Sequence, residues 1–181
     1  ISPEDIEFAN EFNYSIKLLT IAKKIDNKVE LRVHPALIPN SEMIAKVDGV
    51  MNSVSVIGDK VGETMYYGPG AGGDATASAV IANIVDIARR GKGSPMLGFE
   101  SVNTENLQLM SKDEIKTKYY IRLKVADKVG ILAKIAKTLG DKNISIEKMI
   151  QKPLDKDNAH LLLSTHTCLE KDIVEALEQI E

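Results

Sequence analysis

Tyr66-Tyr67-Gly68-Pro69-Gly70-Ala71-Gly72-Gly73-Asp74-Ala75-Thr76 places four glycines within six residues, between a strand-like run and a helix-like run. So much glycine suits only a backbone that turns sharply or lets something approach closely. A glycine loop that opens a helix also presents unpaired backbone N–H groups and the positive end of the helix dipole, a setting for a phosphate, carboxylate or carboxamide. The stretch reads as a loop that contacts a cofactor or an anion. Its spacing alone is equally compatible with glycines that merely let a strand and a helix pack tightly.

Two hairpins lead into this loop. Tyr14, Ile16, Leu18, Thr20 and Ala22 alternate with Ser15, Lys17, Leu19, Ile21 and Lys23, and beyond the turn signal Asp26-Asn27, Val29, Leu31 and Val33 alternate with Glu30, Arg32 and His34. This period of two predicts an antiparallel hairpin whose polar face carries Glu30, Arg32 and His34, with Pro35 and Pro39 ending the second strand. Ser41–Ala45 has room for one helical turn. A second hairpin follows, from Val50 to Ile57 and from Glu63 to Tyr67, turning through Gly58-Asp59-Lys60-Val61-Gly62. After the loop, Ala77, Val80, Ile81, Ile84, Ile87 and Ala88 share one helical face, with Asp74 placed as a cap and Arg89-Arg90 near the negative end of the dipole.

Gly68, Gly70 and Gly73 satisfy the dinucleotide pattern G-x-G-x-x-G. The context removes that meaning, because the pattern belongs to a βαβ unit with an acidic residue about 20 residues on, after a second parallel strand. Here the helix runs into a stretch rich in Gly, Ser, Pro and Asn. A phosphate-binding P-loop is excluded by the missing Lys-Ser/Thr pair.

At the start of the chain, Ser2-Pro3-Glu4-Asp5 predicts a short helix to about Phe12, with Ser2 as cap, Pro3 in the first position and acids in the first turn. Residues 91–117 read as a surface linker, within which Ser111-Lys112-Asp113-Glu114 matches a capping box. A second unit then begins. Its order is a strand from Tyr119, a corner at Asp127-Lys128-Val129-Gly130, a helix with Ile131, Leu132, Ile135, Ala136 and Leu139 on one face, and two strands, Ile144 to Gln151 and His160 to Thr167. A helix with Ile173, Val174, Leu177 and Ile180 on one face completes it. This β-α-β-β-α order is a ferredoxin-like pattern without its last strand. The fold class is α+β: a mixed or antiparallel hairpin sheet with one long helix over 1–90, the linker at 91–117, and the second unit over 118–181.

With 181 residues, 44% hydrophobic and 27% charged, and a formal net charge of −3, the chain has an ordinary globular composition and no electrostatic reason to bind nucleic acid or an anionic membrane. The single Cys168 excludes an intrachain disulfide and a cysteine-rich zinc site, and its apolar setting predicts a buried, inert thiol. The N-terminal residues are acidic rather than a signal peptide, and no run of about 18 apolar residues occurs. A cytoplasmic setting is expected. The chain starts at Ile1 rather than Met, as expected of an internal point in a longer protein.

Several segments together resemble the C-terminal half of the homoserine dehydrogenase catalytic region. They are Lys17-Leu18-Leu19, Val29 to Pro35, Val50-Met51-Asn52-Ser53-Val54, Gly62 to Gly72, and Thr76-Ala77-Ser78-Ala79-Val80. The unit from Tyr119 is similar to the ACT domain that many of those enzymes append. The resemblance implies a part of an NAD(P)-dependent oxidoreductase that interconverts aspartate semialdehyde and homoserine, on the route to threonine, isoleucine and methionine. The dinucleotide domain and the residues credited with substrate binding and proton transfer would precede Ile1. The loop would border the nicotinamide pocket, with Gly70, Gly72 and Gly73 facing the cofactor, and the hairpin sheet would help to build a homodimer or higher homo-oligomer. By the same resemblance the second unit would bind a small amino acid, threonine first among the candidates, at Asp127, Gly130, Ile131, Leu132 and Asn143, often across two paired domains. The physical means would be helix N-terminal N–H groups for a carboxylate and Asp127 for an ammonium. Asp127 and Gly130 as a plain turn and cap are the structural alternative.

No nucleophile, base and orienting group come together in the sequence, so no catalytic residue is assigned and the 181 residues are expected to be inactive and cofactor-free by themselves. No metal site is assigned: His160 and His166 share a strand without a third ligand. Lys17, Asp59 and Glu63 read as solvated, His34 as a surface histidine, and Tyr66 and Tyr67 as core-packing rings. The competing function is a stand-alone amino-acid-binding regulatory module without catalysis. Apolar positions on both sheet faces and an unpaired strand edge predict self-association.

Overall fold

The computed structural model describes residues 1–90 and 107–180. In chain order the elements are α1 (Pro3–Glu11), β1 (Tyr14–Ile25), β2 (Lys28–Pro39), a 3-10 turn at Met43–Lys46, β3 (Met51–Gly58), β4 (Gly62–Pro69), α2 (Gly73–Arg90) and β5 (Gln108–Leu109). They continue with another 3-10 turn at Lys112–Glu114, β6 (Lys116–Thr117), β7 (Tyr120–Ala126), α3 (Ile131–Asp141), β8 (Ile146–Pro153), β9 (Asn158–Thr165), β10 (Cys168–Leu169) and α4 (Glu170–Ile180). The fold is α+β, as the periodicities indicate. Residues 91–106, most of the stretch read as a linker, lie outside the described residues.

The chain divides into two compact units, Ile1–Leu37 with Leu107–Glu181, and Ile38–Asn106. This division falls elsewhere than the change in composition at 91–117. Residues 107–117 carry structure instead of running free: Gln108 and Leu109 pair in parallel with Lys28 and Val29, and Lys116 and Thr117 pair antiparallel with Leu169 and Cys168. The Ser111 N–H donates to Glu114 Oε2 at 3.1 Å, so the capping-box signature holds one 3-10 turn.

In the larger unit, β9 lies between β7 and β8 in an antiparallel sheet. Ile121, Leu161 and Leu163 point to the side where Ile135 and Leu139 of α3 and Ile173 and Ala176 of α4 close the core, with Ile144 and Cys168 completing it. Burial pushes the Cys168 thiol up, consistent with an inert residue. Tyr120 and Arg122 have the opposite parity along β7, and α1 covers their face: the Phe8 ring centroid lies 4.7 Å from those of both Tyr120 and Phe12. Phe8 is fully buried, worth roughly 1.5–3 kcal/mol for such a side chain. This packing explains why the first residues group in space with the last third of the chain.

The β1–β2 hairpin forms, with Asp26 left-handed (φ +53°) in its turn. Of the two prolines expected to end β2, Pro39 does and Pro35 does not: the strand runs through Pro35, and β5 pairs with it only at Lys28 and Val29, so on that side Pro35 forfeits no ladder bond. The faces are also exchanged relative to their polarity: Glu30 is 2% exposed, whereas Leu31 and Val33 are 59% and 67% exposed. Glu30 is held by Arg32, whose Nε stands 2.6 Å from its Oε1, and a paired carboxylate tolerates burial.

The smaller unit is the β3–β4 hairpin and α2. Its register pairs Met51 with Pro69 and closes with Gly58 opposite Gly62, the latter left-handed (φ +76°) as a three-residue hairpin loop requires. Asp74 is not the cap of α2, since the helix starts one residue earlier; it sits in the first turn, where its charge complements the dipole. The predicted apolar stripe of α2 forms but stays open, with Val80, Ile81, Ile84 and Ile87 half exposed or more. Tyr66 and Tyr67 are 71% and 58% exposed, so neither ring packs in a core within this chain.

Candidate functional site

Gly68 and Pro69 belong to β4, paired with Asn52 and Met51, so the glycine loop itself is only Gly70-Ala71-Gly72 before α2 begins at Gly73. Gly70 is fixed by close approach: its N–H donates to the Val50 carbonyl at 3.1 Å, and a Cβ there would stand 1.6 Å from Asn52 Nδ2 and 2.8 Å from Asn52 Cβ. Gly72 is fixed by conformation, with φ +124°, and its carbonyl accepts the Thr76 N–H at 3.1 Å as α2 winds up. Beyond their own chain neighbours and the backbone of the helix, no described heavy atom lies within 4 Å of where a Cβ would stand on Gly72 or Gly73, so this backbone is bare.

Gly70, Gly72 and Gly73, the three glycines assigned to the cofactor, come together on one shallow concavity with Ala71, Thr76, Ala77, Val80 and Ile81. The sequence reading missed the contribution of α2, because its apolar stripe looked like ordinary helix packing. The spacing of Thr76, Ala77, Val80 and Ile81 from the glycines, one and two turns into the helix, was the available signal. A bare, mostly apolar surface capped by a helix N-terminus suits one face of a flat ring bearing a carboxamide or carboxylate.

The residues assigned to an effector do not all meet. Asp127, Gly130, Ile131 and Leu132 form the corner from β7 into α3, where Gly130 caps the helix with φ +89° and accepts the Lys134 N–H at 3.0 Å. Asp127 Oδ1 accepts a hydrogen bond from Gln151 Nε2 at 2.9 Å, and the Asp127 N–H donates to the Asp157 carbonyl at 2.9 Å. Asn143 lies past the other end of α3, roughly 16 Å away for eleven helical residues. There it is left-handed (φ +58°), donating its N–H to the Gly140 carbonyl at 2.9 Å while the Ile144 N–H reaches the Leu139 carbonyl, a helix-ending role.

Of the residues set aside as non-catalytic, His34 is half-buried rather than a surface histidine, with its Nε2 buried and without a hydrogen-bond partner among the described residues. Glu63 accepts the Ser55 hydroxyl at 2.6 Å, Asp59 pairs loosely with Lys60, and His34 Nδ1 lies 2.9 Å from the Pro35 carbonyl oxygen. Among the described residues no three His, Cys, Asp or Glu side chains are gathered as a metal site would need, and no helix is long and apolar enough to cross a membrane.

A hairpin delivering a glycine loop to a helix, followed by a β-α-β-β-α unit, defines a two-part α+β class with a ferredoxin-like second part. Comparison with known proteins specifies it. Residues 1–85 match the family model for homoserine dehydrogenase, and residues 119–181 match that for the ACT domain. The chain belongs to the homoserine dehydrogenase family and carries an ACT domain.

Homoserine dehydrogenase of Helicobacter pylori is 54% identical over the whole chain, and that of Neisseria gonorrhoeae 44%. A crystal structure of a homoserine dehydrogenase from Thiobacillus denitrificans superposes over the whole chain with a TM-score of 0.87 at 43% identity. The chain spans 42% or 43% of the length of each of these relatives.

Proposed function

We propose that this chain is the pocket-closing, self-associating and amino-acid-sensing part of an NAD(P)-dependent homoserine dehydrogenase, whose remaining length supplies the dinucleotide domain. The enzyme would reduce aspartate semialdehyde to homoserine in the cytoplasm, on the route to threonine, isoleucine and methionine. The observation that carries this reading is the bare concavity of Gly70, Gly72 and Gly73, flanked by an open apolar stripe on α2. A stand-alone regulatory module has no use for that stripe, which leaves Val80, Ile81, Ile84 and Ile87 in water.

In this reading NAD(P)H, when bound, supplies the hydride. Gly72 and Gly73 let the backbone approach the nicotinamide side of the cofactor, Gly70 holds the loop against β3, and Val80 and Ile81 exclude water from the apolar wall. The chain itself contributes position and shape rather than a proton-transferring group. The test is to join the 181 residues to the dinucleotide domain encoded upstream and follow NADPH oxidation with aspartate semialdehyde. Activity of the joined protein, with none from the 181 residues by themselves, supports the assignment. Activity of the upstream domain unaffected by loss of these residues refutes it.

The corner of Asp127, Gly130, Ile131 and Leu132 is assigned to the effector, with the carboxylate at the start of α3 and the ammonium at Asp127. Asn143, at the far end of the same helix, would join only from a second copy across paired domains. Calorimetry with L-threonine, L-methionine and L-isoleucine tests this, and absence of heat with all three in an assembled oligomer rejects it.

A further inference from the structure

We propose that α1 is the element through which occupancy of the Asp127 corner reaches the catalytic-region segment, with Gln151 as the latch between them; this rests on the effector reading of that corner. The sheet of the ACT unit has two faces. One is closed by α3 and α4, and the other by α1, which belongs to the segment matching homoserine dehydrogenase.

The hold on α1 is polar as well as apolar. Asp5 is 7% exposed; it accepts the Ser2 N–H on Oδ2 at 2.6 Å and the Tyr120 hydroxyl on Oδ1 at 2.8 Å, and it pairs with Arg122, whose Nε stands 3.0 Å from Oδ1. Lys152 Nζ donates to Glu7 at 3.1 Å and to Glu11 at 2.7 Å. Lys148 Nζ lies 5.0 Å from the Phe12 ring centroid and 4.6 Å from that of Tyr14. Four side chains of β7 and β8 thus grip α1 and the residues that lead into β1.

Both gripping strands end at the effector corner. Asp127 follows directly on β7, which carries Tyr120 and Arg122, and the residue bonded to Asp127 is Gln151, the neighbour of Lys152 on β8. Gln151 and Lys152 point to opposite faces of the strand, so Gln151 senses the helix side while Lys152 holds α1. An ammonium group bound at Asp127 must share or displace the Gln151 amide. Either outcome changes the restraint on β8 and through Lys152 the hold on α1. Coupling between sites then follows from a contact that two ligand states use differently.

The test is hydrogen exchange of the 3–11 backbone in the full 181-residue chain, run beside calorimetry with L-threonine, L-methionine and L-isoleucine. Saturating ligand should change α1 exchange by about five-fold or more, the lower end of usual coupling factors. Gln151→Ala should change the ligand-free exchange of α1 without any ligand, and Lys152→Met should abolish the ligand-dependent difference while binding persists. Binding with unchanged α1 exchange, or a Gln151→Ala chain that exchanges like the parent, overturns the inference and leaves the effector site standing. Absence of binding removes the effector reading and the ligand-driven coupling with it.

Discussion

Single residues carry the strongest local commitments in this chain. Gly72 is left-handed and opens onto the concavity, so Gly72→Val strains the backbone and intrudes on the bare surface. In the intact enzyme it should raise the cofactor KM by an order of magnitude or so, and unchanged kinetics would refute the contact. Gly70→Ala tests a different cause, the approach to Asn52: it should cost about 1–3 kcal/mol in urea unfolding, and Asn52→Ala should recover part of that loss. At Asp5 burial pushes the carboxyl up, but hydrogen bonds from Ser2 and Tyr120 and the charge of Arg122 more than offset it, leaving the group below the ordinary aspartate value. Its folded value is depressed, so its contribution is present above the ordinary value near 4 and lost as pH falls through the folded value. Asp5→Asn should therefore lower stability by about 1–3 kcal/mol at pH 7, with the difference from the parent narrowing in acid.

Elements show where periodicity is a sufficient guide and where it is not. The five main elements of the ACT unit, its corner and its core face follow from alternation, from the Gly130 cap and from helical stripes at Ile131–Leu139 and Ile173–Ile180. For β2 the same alternation identifies the strand and misassigns its faces, because polarity alone does not reveal that Arg32 pairs with a buried Glu30. The stripe of α2 is legible as a stripe, and within its own compact unit nothing among the described residues covers it. Ile81→Ser and Ile84→Ser should thus leave the unfolding midpoint of the 181-residue chain within about 0.5 kcal/mol of the parent, as exposed positions do. In the joined enzyme the same changes should destabilise measurably; equal effects in both settings would show that no domain packs there.

At the scale of the molecule, Leu31 and Val33 on β2 and the open faces of β3, β4 and α2 leave apolar surface in water that association would remove. The chain should self-associate in light scattering, and Val33→Glu should shift it toward monomer; a monodisperse monomer of the parent at high concentration would count against this. The spatial grouping of the first 37 residues with the ACT unit is invisible to any local pattern. It depends on Asp5, Phe8 and Lys152 meeting partners more than 100 positions away, and no periodicity encodes such pairs.

By itself the sequence determined the two hairpins, the glycine loop between strand and helix, the β-α-β-β-α order and the family. These rest on short-range effects: alternation, helical stripes, turn residues and caps act within a few residues of one another. Only the tertiary structure decided that Gly68 belongs to the strand, that α2 lends Thr76, Ala77, Val80 and Ile81 to the glycine concavity, and that Asn143 stands a helix length from Asp127. It alone decided that α1 closes the second face of the ACT sheet. Those outcomes depend on distances and burial between residues remote in the chain, where the balance of desolvation against pairing is settled by packing rather than by local propensity.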